Sequence, residues 1–228
     1  SKPFAFTARS WELRKTESID VLDAVGSSIR VDSRGGEVMR IVPRLNEDVN
    51  EEWISDKSRF ACDGLSKRRL DRCYVRKDGK LEEASWAQAF AATAEALKGV
   101  SGDQAAAIAG DLADCESMTA LKDLMTGLGS NHMDCRQDGA KLGGARAGYL
   151  FNTTIAQIED TDAILIVGAD PRWEASLVNA RIRKRYLRGG LKVGVIGAQR
   201  DLTYPYDLLG AGPQTLGEIA AGSHDFCQ

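Results

Sequence analysis

The sequence predicts an α/β protein in two parts. Residues 1–64 form a small β-rich N-terminal subdomain. Residues 65–228 form a truncated, doubly wound sheet that is mostly parallel. Three observations carry this. Alternating apolar residues flank a glycine pair early in the chain, the mark of a hairpin. From about residue 85 onward, short apolar runs alternate with stretches of helical period, the pattern of βαβ units with helices on both faces of a parallel sheet. The strands of that second part are too few for a complete doubly wound sheet, so the domain reads as truncated.

Each element has its own signal. Ile29 and Val31, then Arg34-Gly35-Gly36, then Val38, Met39 and Ile41 predict a hairpin whose glycines supply the positive φ of a tight turn. Residues 45–53 read as surface loop. Residues 66–80 are rich in charge, carry the turn Lys77-Asp78-Gly79-Lys80 and read as a connection. Ser85 and Gln88 have the spacing of a capping box. Trp86, Phe90, Thr93, Ala94 and Leu97 follow at helical period, and Gly99 ends the helix. Residues 104–109 predict a buried strand. Residues 116–128 predict a helix with Met118, Leu121, Leu124, Met125 and Leu128 on its inner face. Residues 131–134 suit a short strand, and the Gly- and Ala-rich 141–151 a helix or loop. Then come a strand at 163–167, a helix at 174–187, a strand at 191–196 and a helix start at 216–221.

Composition excludes several classes. The chain has 228 residues, 43% hydrophobic and 28% charged, which is globular composition. A net charge of −3 gives no positive field for a nucleic-acid backbone. No apolar run approaches the roughly 18 residues of a membrane helix, so no direct membrane insertion is expected. The chain starts at Ser1-Lys2-Pro3 without Met or a signal pattern, as an excised piece of a longer protein would. Five cysteines, Cys62, Cys73, Cys115, Cys135 and Cys227, include no C-x-x-C pair. They make neither a disulfide framework nor a zinc ribbon and suit a reducing compartment.

Chemistry has few places to sit. Gly168-Ala169-Asp170-Pro171 follows a buried strand and opens a helix, with Pro171 at the first helical position. Ligands of open α/β sheets bind at such strand ends, and helix N-termini favour anions. Asp170 as N-cap and Glu174 in the first turn set two carboxylates against a phosphate there, offset only in part by Arg172. Helix capping is therefore the expected role of Asp170. Neither G-x-G-x-x-G after a strand nor a P-loop occurs. The glycines of 143–148 fit close helix packing. His132 and His224 stand far apart, and no serine or cysteine has the context of a nucleophile. Arg181, Arg183, Lys184, Arg185 and Arg188 crowd one helix C-terminus, either complementing its dipole or docking an acidic surface.

Longer stretches carry a family resemblance. Trp11-Glu12-Leu13-Arg14-Lys15 within 1–20, Pro43-Arg44-Leu45-Asn46-Glu47-Asp48 within 43–57, Asn152-Thr153-Thr154-Ile155, Asn179-Ala180-Arg181-Ile182-Arg183-Lys184 and Asp201-Leu202-Thr203-Tyr204 resemble the large iron–sulfur subunits of respiratory complex I, the NADH:quinone oxidoreductases. The resemblance covers essentially the whole chain. It implies a parent complex that passes electrons from NADH to quinone and pumps ions. The parent's [2Fe-2S] and [4Fe-4S] clusters would lie in a ferredoxin-like N-terminal part that this chain lacks. It also implies partners among the peripheral-arm subunits, with Arg9, Trp11 and Arg14 as junction candidates. The location implied is peripheral, on the cytoplasmic face of a bacterial inner membrane or the mitochondrial matrix side.

The implied fold of this portion is that of molybdopterin oxidoreductases, with a Rossmann-like domain over 65–228. Those enzymes open with C-x2-C-x3-C and a later fourth cysteine that hold a [4Fe-4S] cluster. The corresponding positions are Asp20, Asp23, Ser27 and Ser55. All four lack a thiol, and Cys62 nearby is alone. Oxygen donors suit such a cluster poorly, so no metal is expected here. The molybdenum-ligating position falls near Gly139 or Ala140, which offer no ligand. Gly168-Ala169-Asp170-Pro171 resembles the pterin-dinucleotide loop G-x-N-P, with a charged Asp170 in place of the neutral Asn. The expectation is a vestigial loop, no catalytic residue and no cofactor in this portion, which acts as a non-redox scaffold. The alternative is a degenerate pterin- or nucleotide-binding module.

Overall fold

The computed structural model describes residues 5–110, 112–135 and 143–228. The chain divides into two compact units. One comprises Ser1–Ser66 with Leu150–Gln228, the other Lys67–Tyr149.

The first unit contains two sheets. Strands β1 (Arg14–Ile19), β2 (Ser28–Arg34) and β3 (Glu37–Pro43) form an antiparallel sheet in the order β1-β2-β3. Arg34 pairs with Glu37 across Gly35-Gly36, and Gly35 has φ +60°, as the glycine pair predicts. Ile29, Ile41, Ile54 and Cys62 form the core beneath it. Strand β1 is an addition to the expected hairpin. All six of its residues are exposed, so no burial alternation marks it. The 45–53 segment is less of a surface loop than its polarity suggests. Asn50 is buried there; its Oδ1 accepts from the Ser28 amide at 2.8 Å, and its Nδ2 donates to the carbonyls of Arg44, Glu51 and Trp53. Helix α1 (Asp56–Phe60) follows, with Ser55 as its N-cap.

The other sheet of this unit is parallel, in the order β10-β9-β8, from β8 (Ala163–Val167), β9 (Lys192–Ile196) and β10 (Asp207–Gly210). Strands β8 and β9 fall where the apolar runs predict them. Strand β10 has only four residues, below what period can signal. Ile158, Ile166, Ile182, Leu191, Val193, Val195, Leu202 and Tyr204 make its core. Gly194 lies mid-strand because a Cβ there would meet Leu209 Cδ1 at 2.7 Å and the Phe226 ring at 2.9 Å. The helix expected at 174–187 is two helices, α4 (Pro171–Glu174) and α5 (Ser176–Leu187), parted at Ala175 with φ −147°, ψ 65°. The last helix, α6, spans Pro213–Ala220.

The second unit opens on a hairpin of β4 (Cys73–Lys77) and β5 (Lys80–Ala84), turning at Asp78-Gly79 with φ +48° and +81°. The sequence reads as a connection here because these strands are charged and exposed. Helix α2 (Trp86–Leu97) has the expected capping box, with Gln88 N donating to Ser85 Oγ and Ser85 N to Gln88 Oε1. Helix α3 spans Cys115–Gly127. Its expected inner face is largely uncovered: Met125 is buried, whereas Met118 and Leu124 are exposed. Strands β6 (Ala107–Ile108) and β7 (Met133–Asp134) pair in parallel. The strand expected at 104–109 is shorter because Gly102–Gln104 form a 3-10 turn. Of the segment 141–151, residues 141 and 142 lie outside the described residues, as do Gly139 and Ala140. Arg146–Gly148 form a 3-10 turn rather than a helix. The described residues thus make a mixed α/β structure with several sheets.

Candidate functional site

The first candidate lies between the β1–β2 loop and α1. Asp20, Ser27, Ser55 and Ser58 are all buried, and the Asp23 side chain is 5% exposed. Ser58 Oγ donates to Asp20 Oδ2 at 2.7 Å, across 38 positions of sequence. Ser55 Oγ lies 2.8 Å from Ser58 Oγ and accepts from the Ser58 amide at 3.1 Å. The Asp20 amide donates to the Ser27 carbonyl at 2.8 Å. Asp23 Oδ1 accepts from the Val25 amide at 3.1 Å, and Asp23 Oδ2 pairs with Lys57 Nζ at 3.3 Å. Asp20 and Ser55, distant in sequence, are thus brought together through Ser58. Reasoning from cysteine spacing passes over Ser58, because it occupies none of the four positions. Its S-x-x-S spacing with Ser55 at a helix start was the available signal.

The side chains here are carboxylate, hydroxyl and ammonium, and those of Asp20, Asp23, Ser55, Lys57 and Ser58 are engaged in these bonds. Thiolate is what an iron–sulfur cluster requires. Cys62 belongs instead to the apolar cluster of Ile29, Ile41 and Ile54, where burial pushes its thiol above the ordinary value. Among the described residues no group of three or more His, Cys, Asp or Glu is placed to hold a metal ion.

The second candidate is the loop after β8. Gly168 adopts φ +61° while its amide donates to the Ile196 carbonyl at 2.8 Å. The expected cap at Asp170 does not form. Its backbone sits at φ −116°, ψ 83°, far from the ψ near 160° of the working caps Ser85 and Asp114, and its side chain makes no capping hydrogen bond. Asp170 Oδ1 is buried without a hydrogen-bond partner among the described residues, and Oδ2 lies 3.6 Å from Arg200 Nε. Glu174 Oε2 accepts from the Asp170 amide at 3.2 Å. A cavity of about 110 Å³ opens between Gly168, Asp170, Glu174, Gly197 and Arg200. Two carboxylates and one arginine make a poor cradle for a pyrophosphate, whose charge they repel. Arg172 is turned to Asp201, hydrogen-bonded to its carbonyl at 3.0 Å.

The basic helix end finds its acidic surface within the chain. Arg181, Lys184 and Arg188 converge on Glu159, at 3.0 and 2.8 Å for the first two. Arg181 is buried and donates to the Glu47 carbonyl at 2.8 Å, and Lys184 also pairs with Glu51. Arg185 donates to the Thr161 and Gly189 carbonyls, and Arg183 to Thr203. Three of these five cations, Arg181, Lys184 and Arg188, thus pair with one carboxylate of the same chain. His224 caps the last turn, its Nδ1 accepting from the Phe226 amide. Trp11 is exposed with the Arg9 guanidinium 5.3 Å from its ring, and Arg14 lies on exposed β1.

Against known proteins, residues 69–228 match the molybdopterin oxidoreductase family, and residues 13–63 match the NADH-ubiquinone oxidoreductase NDSU1/NuoG-like 4Fe-4S domain. The chain belongs to the molybdopterin oxidoreductase family. Its relatives narrow the resemblance to subunits of NADH dehydrogenases. It is 53% identical over 228 residues to the mitochondrial NADH dehydrogenase [ubiquinone] iron-sulfur protein 1 of Solanum tuberosum, covering 99% of this chain and 31% of that protein. It is 51% identical to an NADH-quinone oxidoreductase subunit of Rickettsia conorii, covering 99% and 34%. It is also 51% identical to the mitochondrial NADH-ubiquinone oxidoreductase 78 kDa subunit of Neurospora crassa, covering 97% and 31%. The chain spans about a third of the length of these relatives. The resemblance expected from the sequence is borne out.

Proposed function

We propose that the chain is the molybdopterin-oxidoreductase-like portion of a respiratory complex I large iron–sulfur subunit and acts there as a non-redox scaffold. The observation that carries this is identity of about half over nearly the whole chain to subunits of NADH-quinone oxidoreductases. The parent complex passes electrons from NADH through iron–sulfur clusters to quinone, coupled to ion pumping. In this reading residues 1–64 correspond to a cluster-bearing cap that has lost its ligands at Asp20, Asp23, Ser27 and Ser55. Residues 65–228 correspond to the Rossmann-like domain, with Gly168, Ala169, Asp170 and Pro171 a vestigial pterin-type loop. The donor chemistry of both candidates supports this, since oxygen ligands suit a cluster poorly and paired carboxylates repel a pyrophosphate. The partners are other subunits of the peripheral arm, met in part through Arg9, Trp11 and Arg14. No described helix is long and apolar enough to cross a membrane, which fits a peripheral position on the cytoplasmic or matrix side.

One observation favours the second reading, a degenerate nucleotide-binding module: Asp170, which lines the cavity beside Gly168, has a buried Oδ1 without a partner among the described residues. Two assays test both. The chain should transfer no electrons from NADH to an artificial acceptor, and measurable turnover sinks the scaffold. Calorimetry with a guanine nucleotide at millimolar concentration should give no heat. Saturable heat that disappears on Gly168→Val would establish the second reading.

A further inference from the structure

The four positions that would carry cluster ligands are not merely empty of thiols; each is tied down, by side chain or backbone, in the contacts around α1. Asp20 is held by Ser58 Oγ at 2.7 Å, and Ser27 by its carbonyl to the Asp20 amide at 2.8 Å. Ser55 is held to Ser58 at 2.8 Å, and Asp23 to Lys57 at 3.3 Å. Ser58 and Lys57 are neighbours on α1, so both carboxylates of the 20–27 loop are gripped by the same helix. The bonds have a defined direction. Ser58 has one hydroxyl proton and gives it to Asp20, which accepts only. Ser55 must then donate its proton to Ser58 Oγ while its lone pair takes the Ser58 amide. A chain of donors ending on a buried carboxylate is mutually polarised and stronger than its links taken singly.

We propose that this Ser55–Ser58–Asp20 relay, with the Asp23–Lys57 pair beside it, is a metal-free lock that does the mechanical work of a cluster, fastening the 20–27 loop to α1. The inference rests on the reading of this segment as free of a cluster and adds the groups that replace it. Like a cluster, the lock ties together positions 38 apart in the sequence, Asp20 and Ser58. Unlike a cluster, it has no dependence on iron.

Hydrogen exchange followed by mass spectrometry on the full-length polypeptide tests it, reading peptides that span 20–27 and 55–60. In the unsubstituted protein the two peptides open together, at the same rate. A 20–27 peptide exchanging tenfold faster than 55–60 would overturn the lock without any variant being made. Ser58→Ala and Asp20→Asn each raise exchange at least tenfold in both peptides, and the double variant is no worse than either. An effect confined to the substituted segment, or one that adds in the double variant, contradicts the lock. Iron chelation separates the two claims. It leaves both peptides unchanged if the lock holds them, whereas deprotection on chelation means that iron holds them and that the cluster-free reading is wrong.

Discussion

Replacing Glu159 by Gln strikes the charge network that holds the first unit together. Glu159 is 14% exposed and takes three cations from one face of α5. Of these, Lys184 and Arg188 are 42% and 52% exposed, so solvent screens their share and each counts for under about 1 kcal/mol. Arg181 is 5% exposed and cannot recover hydration when its partner loses charge. Breaking such a buried pair costs about 3–5 kcal/mol. The lower end applies, because Arg181 keeps the Glu47 carbonyl and glutamine keeps one acceptor oxygen. The expected loss is therefore about 3 kcal/mol, read as faster exchange in 155–190 and in 44–51 together. The second segment responds because Arg181 and Lys184 reach it through Glu47 and Glu51. Burial raises the Glu159 carboxyl, but the hydrogen bonds and charges of Lys184 and Arg188 outweigh it and hold it below the ordinary 4.5. A lowered folded-state value means stability present above the unfolded value and lost as pH falls through the folded one. The wild-type advantage over Glu159→Gln should hold at neutral pH and shrink below about pH 4.5. A change under about 0.5 kcal/mol, or an advantage that grows in acid, would refute the reasoning.

Other consequences are smaller and local. Tyr204→Phe removes a buried bond, Tyr204 Oη donating to Asn179 Oδ1 at 2.8 Å, and should cost about 1 kcal/mol in urea denaturation. Asn179→Ala should cost more, about 2–3 kcal/mol, because it strands both the Tyr204 hydroxyl and the Leu202 carbonyl. Gly194→Ala places a methyl against Leu209 and Phe226. It should cost about 1–3 kcal/mol, with the 225–227 turn showing the first loss of exchange protection.

What the sequence discloses follows from which signals are local. Strand β8 and the Ser85–Gln88 capping box are legible because an apolar run and a side-chain-to-backbone cap are fixed by neighbouring residues. Strand β1 and the β4–β5 hairpin are not, because their residues are mostly exposed and charged and none of them is fully buried. Asp170 has the type and position of a cap, yet at a ψ of 83° it makes no capping bond, and backbone conformation at one residue leaves no trace in composition. The cluster of cations on α5 is visible as a charge run. Its counter-ion is not, since Glu159 lies more than twenty positions upstream. Asp32 illustrates the same limit. It sits within a strand of mixed polarity, is fully buried, and is held at 2.7 Å by Arg30, two residues back on the same strand, and at 2.7 Å by Arg40, which only the β2–β3 register brings opposite it. The absence of thiols at Asp20, Asp23, Ser27 and Ser55 can be read from the chain. The way Ser58 joins Asp20 to Ser55 cannot.

Native mass spectrometry of the chain purified without air tests the central claim most directly. The expected result is the polypeptide mass with no excess. An excess equal to an iron–sulfur cluster or a pterin dinucleotide would contradict it, and its size would say which of the two candidate sites had kept its group.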